Sequence, residues 1–145
     1  MGVGLSFWYD NDMKLKVFTD GGARGNPGIA GYGVYIEDEN KKCLFEEGKF
    51  LGIKTNNEAE YMGLIGALSW IEEKAAEAEI EINSDSQLLV RQMKGVYKVK
   101  ASNLKSLWMT AQDLCRGKKI EFKEIRREYN SKADALANLA MDRKR

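Results

Sequence analysis

Four carboxylates in this chain stand at the ends of elements, where few side chains share a reason to be charged. Asp20 closes the run Lys14-Leu15-Lys16-Val17-Phe18-Thr19 and is followed by Gly21-Gly22. Val, Phe and Thr favour a pleated, half-buried surface and the glycine pair ends it. Asp20 therefore sits where a central strand meets solvent. Asp85 ends a second alternating run, Glu79-Ile80-Glu81-Ile82-Asn83-Ser84. Glu58 and Asp134 each fall in the first turn of a predicted helix. Singly, each acid has a plain explanation: a turn aspartate for Asp20, a capping box with Thr55 for Glu58, an N-cap for Asp85 and the helix dipole for Asp134. Brought together, they would repel and raise each other's pKa unless a cation lay among them. Oxygen ligands without His or Cys suit a hard ion such as Mg²⁺ or Mn²⁺. Two such ions can clamp the attacking and leaving oxygens of a phosphodiester.

The rest of the composition narrows the chemistry. The chain has 145 residues and no histidine. That excludes Ser/His/Asp and Cys/His triads, zinc sites built on His, and the commonest general base near neutral pH. Cys43 and Cys115 lie far apart without metal-ligand spacing and read as two thiols in a reducing compartment. A net charge of +1 argues against nucleic acid being held by bulk electrostatics alone. No apolar run approaches a membrane span, and residues 1–13 lack the pattern of a secretory signal. The expectation is a soluble, cytoplasmic chain: residues 1–13 as an N-terminal extension without a role legible in its residues, and 14–145 as one α/β domain.

The elements that must position the four acids follow from periodicity. After Gly22, residues 23–28 read as a turn that matches no P-loop or dinucleotide fingerprint. Tyr32-Gly33-Val34-Tyr35-Ile36 reads as a second strand and residues 43–51 as a third, giving an antiparallel meander. From Thr55 to about Ala76 the period becomes helical, with Tyr61, Leu64, Leu68 and Ile71 on one face. The fourth strand, residues 79–85, is parallel to the first because a helix connects them. A second helix opens at Asp85, and residues 94–103 form a loop. A third helix, 104–115, carries Leu104, Leu107, Trp108, Ala111 and Cys115 on one face. A fifth strand covers 120–125. The last helix, capped by Asn130 or Ser131, turns Ala133, Leu136, Ala137 and Ala140 to the core. The carboxyl ends of parallel strands and the adjacent helix starts share one crevice, so Asp20 and Asp85 should meet there.

Four motifs, in order and on the matching elements, resemble the type 1 ribonuclease H family. They are Phe18-Thr19-Asp20-Gly21-Gly22 with Arg24-Gly25-Asn26-Pro27-Gly28, then Thr55-Asn56-Asn57-Glu58-Ala59-Glu60, then Ser84-Asp85-Ser86-Gln87, and last Asn130-Ser131-Lys132-Ala133-Asp134-Ala135-Leu136-Ala137. The resemblance spans Lys14 to about Asp142. It implies an RNase H-like fold: a five-stranded mixed sheet, three strands antiparallel and then two parallel, flanked by about four helices. It implies a metal site of Asp20, Glu58, Asp85 and Asp134 holding two Mg²⁺ ions, or Mn²⁺ as the alternative, with substrate bound. The implied activity is endonucleolytic cleavage of the RNA strand of RNA–DNA hybrids, giving 3′-hydroxyl and 5′-phosphate ends, by a monomer without membrane attachment. Asp20 would bridge both ions, Glu58 would hold one and meet a ribose 2′-hydroxyl, Asp85 would orient the attacking water and Asp134 would complete the second ion's shell. Gly21, Asn26, Thr55, Asn56, Asn57 and Gln87 resemble the family's substrate contacts.

The chain departs from the family pattern in two places. Many members carry a mobile histidine before the last motif, whereas this region reads Arg126-Arg127-Glu128-Tyr129. Some members carry a basic helical protrusion after the third motif. Residues 95–103 are too short for one, leaving Lys94, Lys98, Lys100 and the Arg143-Lys144-Arg145 tail. Two other functions fit clustered acids in such a fold: a transposase or integrase core, and a binding module without activity. The Thr-Asn-Asn-Glu motif and the short domain speak against the first, and the presence of all four acids against the second.

Overall fold

Residues 9 and 12–144 are described by the computed structural model. The expectation for residues 1–13 falls mostly outside them. Within the described residues, the Tyr9 ring packs tilted against Trp70 with centroids 5.6 Å apart, and its N–H donates to the Lys74 carbonyl.

Five strands form one sheet: β1 (Lys14–Arg24), β2 (Gly28–Glu37), β3 (Cys43–Lys54), β4 (Glu79–Ser84) and β5 (Lys119–Glu124). Four helices flank it: α1 (Asn56–Lys74), α2 (Gln87–Met93), α3 (Ser102–Cys115) and α4 (Ser131–Arg143). The spatial order is β3-β2-β1-β4-β5. β1 runs antiparallel to β2 and parallel to β4, and β4 runs parallel to β5. This is the expected mixed sheet.

The sheet presents two kinds of face, and the alternation in the sequence shows why. In β4, Ile80 and Ile82 point to the core, where they meet Leu15 and Val17 of β1. On the other face the register aligns Lys14 with Glu79 and Lys119, a row of alternating charge across three strands. Such cross-strand pairs favour the register, and a one-residue slip would turn the isoleucines to solvent.

α1 covers the core face with the four positions its periodicity picks out. Leu64, Leu68 and Ile71 are fully buried and Tyr61 is 1% exposed. Each aliphatic stabilises the fold by about 2 kcal/mol relative to an exposed side chain. Tyr61 also donates its hydroxyl proton to Gln92 of α2 at 2.6 Å. On the opposite face α4 lies across β1, β2 and β3. It comes so close that a Cβ on Gly33 would stand 2.0 Å from the Ala133 carbonyl oxygen. Only glycine permits that approach, and it sets the height of the helix that carries Asp134.

Several boundaries differ from the sequence reading. β1 runs on to Arg24 and β2 begins at Gly28, so the turn shrinks to residues 25–27. The extra rungs, Gly22 with Gly31 and Ala23 with Ala30, are small residues that carry no hydrophobic alternation. α2 starts at Gln87 with Ser86 as its N-cap, whose Oγ accepts from the Leu89 N–H at 3.2 Å. Asp85 is thereby released from capping. Residues 127–129 form an unforeseen 3₁₀ turn leading into α4. In α4, Met141 joins Ala133, Ala137 and Ala140 in the core, while Leu136 is only half-buried. In α3 only Leu104 and Ala111 of the expected face are fully buried.

Candidate active site

The ladder between β1 and β4 ends at the pair Phe18–Asn83, and the two strands part beyond it. Asp20 lies two residues past that point on β1, and Asp85 one residue past the end of β4. The crevice where the two strands part is filled by acid. Asp20, Glu60 and Asp85 each bring a carboxylate oxygen within 4.8 Å of the other two. These three, with residues 124–128, line a cleft of about 650 Å³. Asp134, from the first turn of α4, is close enough to Asp20 to raise its pKa, and its own Oδ1 accepts from Asn138 Nδ2 at 3.2 Å.

The glutamate of this cluster is Glu60, which corrects the expectation that placed Glu58 there. Glu58 is occupied elsewhere. Its Oε1 accepts from the Thr55 N–H at 2.9 Å, while Thr55 Oγ1 accepts from the Glu58 N–H at 3.1 Å. This reciprocal capping box satisfies two donors that the helix start leaves open. The Thr55 amide holds the Glu58 carboxyl below the usual carboxylate range. Glu60 lies half a turn further on and faces β1. Its Oε1 and Asp20 Oδ1 both accept from the Gly21 N–H, each at 3.0 Å. One backbone amide therefore orients two of the acids.

The electrostatics ask for a counter-charge. Burial, then the charge of Asp85, then the neighbouring Asp134 carboxyl push the Asp20 carboxyl up to about 8. Glu60 is raised well above the carboxylate range by burial and by the charges of Asp20 and Asp85. Among the described residues the nearest basic group is Arg127, whose Nε is 3.9 Å from Asp85 Oδ2. Its side chain is 87% exposed, so solvent screens most of its effect. A cluster of carboxylates that resists full ionisation, built from oxygen donors alone, fits a hard divalent cation. Asp20, Glu60, Asp85 and Asp134 are the residues that could hold it.

The expected substrate contacts fall into two groups. Asn26 and Asn56 are exposed and joined: Asn26 Oδ1 accepts from the Asn56 N–H at 3.1 Å, and Asn56 Oδ1 accepts from the Ala23 N–H at 2.8 Å. They form a polar ledge between the β1–β2 turn and the start of α1, with both Nδ2 groups turned to no partner among the described residues. Asn57 and Gln87 are exposed at the starts of α1 and α2. Thr55 and Gly21 serve inside the fold instead. Thr55 Oγ1 is committed to the cap. A Cβ on Gly21 would stand 2.3 Å from the Ala59 carbonyl carbon and oxygen, so its bare face meets α1. Space is open instead at Gly22, where the nearest neighbour of an added Cβ is Asn56 Oδ1 at 3.9 Å.

A profile for the family described as "Reverse transcriptase-like" matches residues 18–140. Ribonuclease HI of Halobacterium salinarum is 35% identical over 137 residues, covering 92% of this chain and 67% of that protein. The chain belongs to the type 1 ribonuclease H family. A ribonuclease H1 crystallised in complex with an RNA/DNA hybrid superimposes with a TM-score of 0.85 at 42% identity, covering 90% of this chain and 98% of that one. The N-terminal ribonuclease H domain of a Mycobacterium tuberculosis protein, solved as a fusion with maltose-binding protein, gives 0.85 at 40% identity, covering 90% and 95%. A bifunctional M. tuberculosis protein is 42% identical over 132 residues, but the chain spans only 36% of its length. The family's fold is the one seen here, and no helix among the described residues is long and apolar enough to cross a membrane.

Proposed function

We propose that this domain is an endonuclease that hydrolyses the RNA strand of RNA–DNA hybrids, leaving 3′-hydroxyl and 5′-phosphate ends. The observation that carries this reading is the convergence of Asp20, Glu60 and Asp85 within 4.8 Å, with Asp134 near enough to act on the Asp20 carboxyl. The donor set suits two Mg²⁺ ions, with Mn²⁺ as the alternative. When bound, such ions lower the pKa of water and neutralise charge gathering on the phosphodiester. A single chain supplies every acid, so the reading needs no second copy.

The chain's own residues do the rest. Asp20 from β1, Glu60 from α1, Asp85 from the end of β4 and Asp134 from α4 would hold the ions. Glu60 takes the role first given to Glu58, including an acceptor for a ribose 2′-hydroxyl, the group that tells RNA from DNA. Asn26 and Asn56 offer amide donors on the ledge beside Gly22, the one glycine of the pair with room for a sugar to approach. Asn57 and Gln87, exposed at the starts of α1 and α2, offer further polar contacts. Arg126 and Arg127 border the acidic cleft and offer fixed charge to a phosphate. Arginine stays protonated, so of this pair and Glu128 only the Glu128 carboxylate could carry a proton where relatives use histidine.

The test is cleavage of end-labelled RNA–DNA hybrid, duplex RNA and duplex DNA, each with Mg²⁺ and with Mn²⁺. The expected result is cutting of the RNA strand of the hybrid and no cutting of duplex DNA. Equal cutting of duplex DNA, or gel-shift retention of hybrid with no products under either ion, would refute the assignment.

A further inference from the structure

Asn130 is 1% exposed and precedes α4 as its N-cap residue, yet its side chain makes no capping bond. Asparagine at this position ordinarily accepts from the second or third amide of the helix. Here the amide reaches across to the sheet: Asn130 Nδ2 donates to the Thr19 carbonyl at 2.9 Å. That carbonyl is one peptide before Asp20, just beyond the point where β1 loses its ladder to β4. The Asn130 carbonyl in turn accepts from the Asp134 N–H at 3.1 Å. One residue thus bonds the backbone beside Asp20 and the backbone of Asp134.

The arrangement is not one that stability alone selects. Asn130 Oδ1 and Thr19 Oγ1 are both buried without a hydrogen-bond partner among the described residues. Unpaired buried polar atoms are rare, and each calls for an explanation. A short apolar residue would remove one orphan, and Ser or Asp would cap the helix. None would donate to β1: alanine and serine are too short, and an aspartate carboxylate has no proton to give the Thr19 carbonyl.

We infer that Asn130 is a positioning residue that sets the spacing between the Asp20 and Asp134 carboxylates, and through it the affinity of the cation site. This rests on the metal site proposed above. The contrast is Asn83, 3% exposed, whose Nδ2 donates to the Val17 carbonyl of the same strand at 3.2 Å but which has no bond to α4.

The experiment is calorimetric titration of Mn²⁺ into the full chain without substrate, alongside the Mg²⁺ dependence of hybrid cleavage. Asn130→Ala should weaken Mn²⁺ binding roughly tenfold and raise the half-saturating Mg²⁺ concentration to match, with the KM for hybrid unchanged. Asn83→Ala should lower Tm without changing either metal constant. If Asn130→Ala does not fold, Asn130→Ser, whose hydroxyl is too short to reach β1, takes its place with the same expectation. Unchanged Mn²⁺ affinity in the folded variant, or the same loss in Asn83→Ala, would overturn the inference. Absence of Mn²⁺ binding by the unaltered chain would instead refute the metal site itself.

Discussion

Asp20→Asn is expected to lower hybrid cleavage on the order of 10³-fold or more, because residues acting as one unit fail together. The same change should stabilise the metal-free protein. In the fold the Asp20 carboxyl is raised from 3.8 to about 8, first by burial and then by Asp85 and Asp134. A carboxyl whose folded pKa exceeds its unfolded value carries no penalty below the unfolded value. It costs stability progressively as pH rises from about 4 to about 8. Asparagine keeps the shape and cannot ionise. In chelator at pH 8 the variant should therefore melt above the parent, by roughly 3–5 °C for each kcal/mol relieved. The gap should close as pH falls toward 4. Thermal melts by circular dichroism at several pH values measure this. A variant that melts below the parent at pH 8, or a gain independent of pH, would contradict the electrostatic account.

Gly21→Ala is expected to damage both fold and site, whereas Gly22→Ala is tolerated by the fold. The added methyl at position 21 would meet the backbone of α1 at 2.3 Å from the Ala59 carbonyl and 2.5 Å from the Glu60 nitrogen. Backbone cannot swing aside as a long side chain can, so the helix must shift. Overpacking of this severity costs about 3 kcal/mol. The shift also moves Glu60 away from the amide it shares with Asp20. Urea unfolding and the cleavage assay should both register the loss. At position 22 the nearest atom to an added methyl is 3.9 Å away, so Gly22→Ala should keep its unfolding midpoint. Near-parental stability of Gly21→Ala would mean that α1 does not press on β1 as described.

The antiparallel meander, the parallel β1–β4 pair and the buried face of α1 were legible because period-2 and period-3.6 patterns respond to burial, and burial is what places Ile80, Ile82, Leu64 and Leu68. The β1–β2 ends were not, because Gly22, Ala23, Ala30 and Gly31 pair through backbone groups alone. Asp85 was legible at the end of β4, whereas Asp20, read as a strand end, lies inside β1 just past the point where the ladder to β4 stops. Glu60 was missed for a physical reason: Thr55 and Glu58 have capping-box spacing, and the motif holds two glutamates. A signal was present. Glu60 heads the stripe Leu64, Leu68 and Ile71, all fully buried, whereas Glu58 heads Met62, Ile65 and the exposed Ser69. A carboxylate at the top of a buried stripe needs a partner, and a capping carboxylate already has one. Asn130 read as a cap because the type suits one, and only the fold reveals that its amide is spent on β1.

The most direct measurement compares Glu60→Gln with Glu58→Gln in cleavage of a labelled RNA–DNA hybrid at saturating Mg²⁺. The structure predicts that Glu60→Gln loses activity on the order of 10³-fold while Glu58→Gln, whose amide oxygen still accepts from the Thr55 N–H, stays within a few-fold of the parent. Retained activity in Glu60→Gln, or its loss in Glu58→Gln at unchanged Tm, would contradict the assignment of Asp20, Glu60 and Asp85 as the site.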